Sequence, residues 1–177
     1  TETNTSERGY VGGISGNNYG NIEGSFSSGS IKSKALYTGG ISGSLTDTAL
    51  IKNCYSTSNI EGYTDAGGIV GSIGGKVENC YSTGNVKGNR VGGITGFITG
   101  ASAYLKNCFA LNPSIDATHT ENGRIVGTII SPSDVSNNYS WQYMMINGLV
   151  VSENQKNGID INKAELENDV NWSNFVS

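Results

Sequence analysis

The sequence predicts an all-β protein, a parallel β-helix or β-solenoid of about five coils with three short strands in each. Three observations predict it. A Gly-Gly-Ile phrase returns along the chain at Gly12-Gly13-Ile14, Gly39-Gly40-Ile41, Gly67-Gly68-Ile69 and Gly92-Gly93-Ile94, with a worn copy at Gly123-Arg124-Ile125. Successive isoleucines of this phrase lie 27, 28, 25 and 31 residues apart, a period typical of stacked repeats. Glycine supplies 26 of 177 residues while apolar residues supply only 36%. A globule so poor in apolar residues is short of core, whereas a solenoid stacks small equivalent side chains along a narrow interior.

Two further segments follow each Gly-Gly-Ile. The first reads Ile22-Glu23-Gly24-Ser25-Phe26, Ile51-Lys52-Asn53-Cys54-Tyr55, Val77-Glu78-Asn79-Cys80-Tyr81, Leu105-Lys106-Asn107-Cys108-Phe109 and Val135-Ser136-Asn137-Asn138-Tyr139. The second centres on Ile31, Ile60, Val86 and Ile115, with Met144 as the late counterpart. Ser28-Gly29, Thr57-Ser58 and Thr83-Gly84 separate the two as turns. Strands this short need neighbours above and below. Coils about 4.8 Å apart give a rod on the order of 20–25 Å tall. Propeller blades take about 40 residues each, so the shorter period favours a β-helix, right-handed by the general rule for parallel crossovers.

Aligned, the repeats yield columns. Ile14, Ile41, Ile69, Ile94 and Ile125 form one aliphatic ladder, and Ile22, Ile51, Val77, Leu105 and Val135 another. Phe26, Tyr55, Tyr81, Phe109 and Tyr139 form an aromatic column, read as packing rather than as a sugar-binding stripe because Phe and Tyr alternate freely. Asn53, Asn79, Asn107 and Asn137 are expected at a corner, where Asn tolerates a left-handed backbone and stacked amides bond from coil to coil. Cys54, Cys80 and Cys108 share a column bounded by Ser25 and Asn138. A single file does not surround a metal tetrahedrally, so buried free thiols are expected. Glu23, Lys52, Glu78 and Lys106 alternate in sign, as do Lys32, Glu61, Lys87 and Asp116 in the opposite phase. Such columns favour one register, since a slip by one coil brings like charges together.

The ends depart from the pattern. Residues 1–8 are polar and expected to fray, residues 9–138 to form the repeats, and residues 139–177 to form a hairpin and short-helix cap. Asn147-Gly148 is a hairpin signal, and Asn162-Lys163-Ala164-Glu165 resembles a capping box opening a helix over 163–167. Trp172 and Phe175 are expected to tuck the tail onto the cap. The fourth repeat carries the longest loops, around 99–103 and 112–122, and the second holds His119, the one histidine of the chain.

A net charge of −4 with dispersed basic residues argues against nucleic acid and against a polybasic membrane anchor. No apolar run reaches the about 18 residues of a spanning helix. Three cysteines cannot make a complete disulfide framework. The chain begins without Met or signal peptide and is read as part of something larger.

The phrases Ala66-Gly67-Gly68-Ile69-Val70-Gly71 and Val77-Glu78-Asn79-Cys80-Tyr81-Ser82-Thr83-Gly84-Asn85-Val86 resemble the GLUG repeat of bacterial surface proteins. The resemblance runs roughly over residues 9–146, with Gly24-Ser25, Arg124 and Asn138 as departures in the edge copies. It implies a large exported protein of Gram-positive or Bacteroides-type bacteria. Adhesin-like proteins, and regions ahead of the catalytic domain in immunoglobulin-A-cleaving zinc metallopeptidases, carry such repeats. The expected role is a non-catalytic stalk, spacer or binding platform at the cell surface or secreted, monomeric and without cofactor. Its expected partners are a host protein, a glycan or other domains of the parent protein. The competing readings are an accessory region of a secreted metallopeptidase and a carbohydrate-active β-helix enzyme. An enzyme needs acids converging on one groove, and here they are spread through alternating columns. Ice binding needs a uniform Thr face, but that position holds Ser15, Ser42, Val70, Thr95 and Val126.

Overall fold

The computed structural model describes residues 7–152 and 154–168. Coil 1 comprises β1 (Glu7–Gly12), β2 (Ser15–Asn18), β3 (Asn21–Glu23), β4 (Phe26–Ser27) and β5 (Ser30–Lys32). Coil 2 comprises β6 (Ala35–Gly39), β7 (Ser42–Leu45), β8 (Leu50–Lys52), β9 (Tyr55–Ser56) and β10 (Asn59–Glu61). Coil 3 comprises β11 (Asp65–Gly67), β12 (Val70–Ile73), β13 (Lys76–Glu78), β14 (Tyr81–Ser82) and β15 (Val86–Gly88). Coil 4 comprises β16 (Arg90–Gly92), β17 (Thr95–Ile98), β18 (Tyr104–Lys106), β19 (Phe109–Ala110) and β20 (Ser114–Ala117). Coil 5 comprises β21 (Asn122–Gly123), β22 (Val126–Ile129), β23 (Asp134–Ser136), β24 (Tyr139–Trp141) and β25 (Met145–Ile146), and is followed by β26 (Ile159–Ile161) and α1 (Lys163–Asn168).

Equivalent strands pair in parallel, so the coils stack into five parallel sheets, four of five strands and one of six. Each coil therefore has five strands rather than three. Two of the three repeat segments each bend once in the middle. The Gly-Gly-Ile segment turns between Gly12 and Ser15, and the Ile-x-Asn-Cys-Tyr segment turns at its Asn. The third segment stays straight. The solenoid also extends beyond 9–138. Glu7 and Arg8 belong to β1, and β25 carries coil 5 to Ile146. Residues 1–6, Trp172 and Phe175 lie outside the described residues.

The interior is filled by the aliphatic ladders. Ile41, Ile69, Ile94 and Ile125 are fully buried, as are Ile51, Val77 and Leu105. The third ladder runs Ile31, Ile60, Val86, Ile115 and then Ile146, not Met144. Met144 is buried nearby, but its N–H closes a turn onto Trp141 O at 2.9 Å, which moves the strand two residues along.

The Gly-Gly corner sets the closeness of the stack. A Cβ at Gly40, Gly68 or Gly93 would collide with the carbonyl oxygen of the next coil, that of Gly68, Gly93 or Arg124. Beyond the corner, one carbonyl receives two N–H groups from the coil below. Ile69 O takes Ile41 N at 2.8 Å and Ser42 N at 3.1 Å, and Ile94 O takes Ile69 N and Val70 N at 3.0 Å each. Facing this corner is a buried column of Ser27, Ser56, Ser82, Ala110 and Ser140. Ser27 Oγ donates to Ser56 Oγ at 3.0 Å and Ser82 Oγ donates to Gly93 O at 2.5 Å.

The expected C-terminal hairpin does not close the stack. Asn147 and Gly148 do form a tight turn with positive φ of 51° and 75°, and Ile146 and Leu149 bridge antiparallel. But β25 is already committed to its parallel partner β20, and no antiparallel strand pair forms among the described residues. The cap is instead built by residues 154–161. Lys156 O accepts Ile125 N at 2.9 Å and Val126 N at 3.0 Å, the bond pair that a sixth coil would make, and β26 lies parallel on β24. Arg124, at the second-glycine position, is 1% exposed and points its guanidinium at Asp160. No coil carbonyl stands above it; the Asn157 side chain accepts its N–H at 3.1 Å. After the cap, Asn162 and Glu165 exchange hydrogen bonds of 2.9 and 3.0 Å as a capping box that starts α1.

Gly68→Ala is expected to lower stability by about 3 kcal/mol, since a Cβ there also lies 2.7 Å from Ser82 Cβ. Gly20→Ala, with nothing within 4 Å of its Cβ, is the control and is expected to change stability by less than about 0.5 kcal/mol. Urea denaturation of both variants measures this.

Candidate functional site

The outward columns converge on one edge, where β3, β8, β13, β18 and β23 turn into β4, β9, β14, β19 and β24. At that corner Asn53, Asn79, Asn107 and Asn137 all hold φ between 51° and 53°, and Gly24 holds 57° in coil 1. This left-handed bend costs most residues about 1–2 kcal/mol but suits Asn and Gly. Asn79 Nδ2 donates to Asn53 Oδ1, and Asn107 Nδ2 to Asn79 Oδ1, both at 3.2 Å. The amides of Asn53, Asn79 and Asn107 are thus bonded to one another.

Two residues beyond, Phe26, Tyr55, Tyr81, Phe109 and Tyr139 stand in register. Phe26 stacks on Tyr55 with centroids 5.1 Å apart and planes at 7°, Tyr55 on Tyr81 at 4.8 Å and 4°, and Phe109 on Tyr139 at 5.0 Å and 12°. A sugar stacks on an aromatic face, and here neighbouring rings cover those faces. Tyr55, Tyr81 and Tyr139 are half-buried and Phe109 is fully buried, and the exposed ring is that of Phe26 at the lower end, 59% exposed.

Cys54, Cys80 and Cys108 stand in file between these columns, all buried and free. Each thiol donates to the carbonyl two residues before it, at 3.1 Å to Lys52 O, 3.3 Å to Glu78 O and 3.2 Å to Lys106 O. Contact with Cys80, then burial, pushes the Cys54 thiol far above its usual range. Burial, then contact with Cys108, does the same to Cys80. Thiols held protonated this way are poor nucleophiles and poor metal ligands.

The charged columns keep their register, and ion pairs form at selected rungs. Lys52 Nζ lies 2.9 Å from Glu78 Oε1, and Lys32 Nζ lies 2.9 Å from Glu61 Oε1. Lys106 pairs with Asp134, because its own column holds Ser136 in coil 5. Burial works against ionisation of Glu78, but hydrogen bonds from Lys52 and from Tyr104 outweigh it and hold the carboxyl below its usual value.

Sequence reasoning missed two clusters. The buried Ser column was legible as the residue after each aromatic, but with the aromatics in view it drew no reading. The other is Asp65, fully buried in β11, gripped by Arg90 of β16 through both oxygens at 2.5 and 2.7 Å. Arg90 also covers the Phe97 ring at 4.2 Å and approaches Glu121 at 3.8 Å. Burial raises the Asp65 carboxyl more than Arg90 lowers it. This pair occurs once in the stack, so no repeat signals it. With both oxygens held by Arg90 and no exposed surface, Asp65 is closed to solvent. His119 sits in its exposed loop, where Nδ1 accepts the Glu121 N–H at 3.2 Å.

Among the described residues, no group of three or more His, Cys, Asp or Glu is placed to hold a metal ion, and no helix is long and apolar enough to cross a membrane.

Two substitutions separate backbone strain from the amide ladder. Asn79→Gly keeps the bend and loses the ladder bonds, at a cost of about 1 kcal/mol. Asn79→Ala loses both and is expected to cost about 1–2 kcal/mol more, by urea midpoint. A third tests the ion pair. Glu78 is held by Lys52 only when ionised, so that stabilisation is complete at neutral pH and is lost as pH falls through the depressed titration. Lys52→Met is expected to shift the Glu78 titration upward in NMR. It should also lower stability slightly at neutral pH and leave it unchanged in strong acid.

The profile of the GLUG motif matches residues 7–32 and 62–87, which are coil 1 and coil 3 with its entry turn. No curated protein and no solved structure gives a significant match. The matched spans coincide with single turns of the solenoid, so the motif is one coil, and it is a non-catalytic repeat. Coils 1 and 3 match the GLUG motif and stand in register with three coils built like them, so the β-solenoid carries GLUG repeats.

Proposed function

We propose that this repeat module serves as a non-catalytic spacer in an exported bacterial surface protein, holding neighbouring parts of that protein apart. One observation carries the reading. The described chain enters at β1 on one end of the stack and leaves through β26 and α1 at the other, so whatever adjoins it is separated by the height of the rod. The polar groups along the rod support this role. The Asn amides, the thiols and much of the charge bond within the stack, which stiffens it and leaves little turned outward. The exported setting rests on the GLUG repeats and on their likeness to those of large surface proteins.

A second reading, an accessory region that packs on a neighbouring domain such as a peptidase, is favoured by the capped end. Tyr143, Leu149 and Val150 are 68%, 68% and 81% exposed there, an apolar group of the kind that marks contact sites.

The spacer reading is tested with fluorophores at Arg8 and Lys163 and with arrays of glycans and host matrix proteins. The expected result is one fixed separation that holds until global unfolding, with neither saturable binding nor turnover on the arrays. Turnover of a glycan would make the chain an enzyme. Saturable binding to an arrayed molecule would make it a platform.

A further inference from the structure

The two ends of the rod differ. Above coil 5, residues 154–161 occupy the place of another coil, supplying the Lys156 carbonyl to Ile125 and Val126 and the Ile159 N–H to Asn138 O at 2.9 Å. Below coil 1 no described residue continues the columns. Ile14 is 46% exposed where its column mates Ile41, Ile69, Ile94 and Ile125 are fully buried. Ile22 and Ile31 are half-buried, where Ile51 and Ile60 are 0% and 2% exposed.

The backbone pattern also continues downward. Each upper corner carbonyl, Ile41 O for one, takes two N–H groups from the coil below it, and Ile14 O holds the same position. Tyr55 N donates down to Ser25 O and Tyr81 N down to Cys54 O, and Phe26 N holds that position. Moreover, coil 1 is not shaped as a cap. The GLUG profile matches it from residue 7 to residue 32.

We propose that the lower face of coil 1 is a docking surface for one further coil of the same motif, laid parallel beneath it by polypeptide leading into Glu7. The surface continues an interface already repeated four times in the stack. It also carries a charge code. Glu23 and Lys32 stand at the base of the two alternating columns, so the coil that fits best presents Lys under Glu23 and an acid under Lys32. A second copy of the chain fits less well. Its upper end is closed by the cap, and turned over to meet face to face it would run its strands antiparallel and set unlike columns against each other. The inference holds whether the rod is a spacer or a platform.

The chain supplies its own probes. A copy of residues 35–61, joined through residues 33–34 ahead of Glu7, places Lys52 under Glu23 and Glu61 under Lys32. A copy of residues 65–87 in the same position places Glu78 under Glu23 and Lys87 under Lys32, like on like. Hydrogen exchange is read at the Phe26 amide, with the amides of coils 3 and 4 as the check that the stack is folded. The first copy is expected to slow Phe26 exchange on the order of tenfold and to raise the unfolding midpoint, and the second to do so less. Unchanged Phe26 exchange beneath the first copy, over a folded stack, would overturn the docking surface. Equal protection by both copies would overturn the charge code. Sedimentation of the unmodified chain as a dimer with Phe26 protected would replace the parallel coil with a second copy.

Discussion

At the second glycine of each corner, the space a Cβ would need is occupied by a carbonyl oxygen of the coil above. Backbone meets backbone there, with no side chain to hold successive turns apart. Once the corners of neighbouring coils touch, every other residue of a coil is placed over its equivalent. The shared carbonyl beyond the corner, taking two N–H groups from below, follows from that closeness. So does the burial of the serine hydroxyls that face the corner, which find acceptors in one another and in Gly93 O. The Asn corner does complementary work. Its left-handed φ turns the chain a second time within a few residues, which lets a repeat this short close on itself.

Stacking in register turns side-chain chemistry inward upon the stack. An isolated Tyr on a strand presents a ring face to solvent, but one with a like residue above and below presents an edge. An isolated Asn offers a donor and an acceptor, and in the ladder Asn107 bonds to Asn79 and Asn79 to Asn53. Lysines and acids that alternate along a column screen each other. A repeat that looks, residue by residue, like a polar recognition surface is therefore largely self-satisfied. What it leaves unpaired lies at the lower end, where coil 1 has no further coil among the described residues.

Features that recur once per coil were legible in the sequence, because one column of like residues at a fixed offset is strong evidence of vertical contact. The ladders through Ile51, Val77 and Leu105, the aromatic column, and the positive φ at Asn79 all belong to this class. The division of each coil into five strands was not legible, because a bend within an apolar phrase changes no hydrophobic period. Met144 stands where a constant spacing puts the third ladder, but the turn after Trp141 lengthens the segment and Ile146 takes that place. Asn147-Gly148 gave its turn but no hairpin, since Met145–Ile146 already had a parallel partner. Asp65 with Arg90 stayed invisible because contact between single coils leaves no periodic trace.

The end of the stack is written by substitutions at the positions that make it stack. Arg124 puts a side chain where glycine admits a further coil, and it is tolerated because the Asn157 side chain, not a coil carbonyl, receives its N–H. Asn138 replaces the next cysteine. In the inner coils Cys54 Sγ accepts the Ser25 N–H at 3.4 Å and faces Ile22 O at 3.6 Å. Asn138 Oδ1 accepts the Cys108 N–H at 3.0 Å while Nδ2 donates to Leu105 O at 2.8 Å. The amide takes over both tasks of the thiol at shorter, stronger distances. Both changes keep coil 5 bonded to coil 4, and Arg124 alters the upward contact. Coil 1 carries no such change: its Gly12-Gly13 corner is intact, and its one departure, Gly24-Ser25, keeps the left-handed bend and a small side chain in the thiol column. Coil 1 thus keeps the corner features by which the inner coils stack, whereas the upper end is closed by particular residues, Arg124 among them, rather than by the repeat running out.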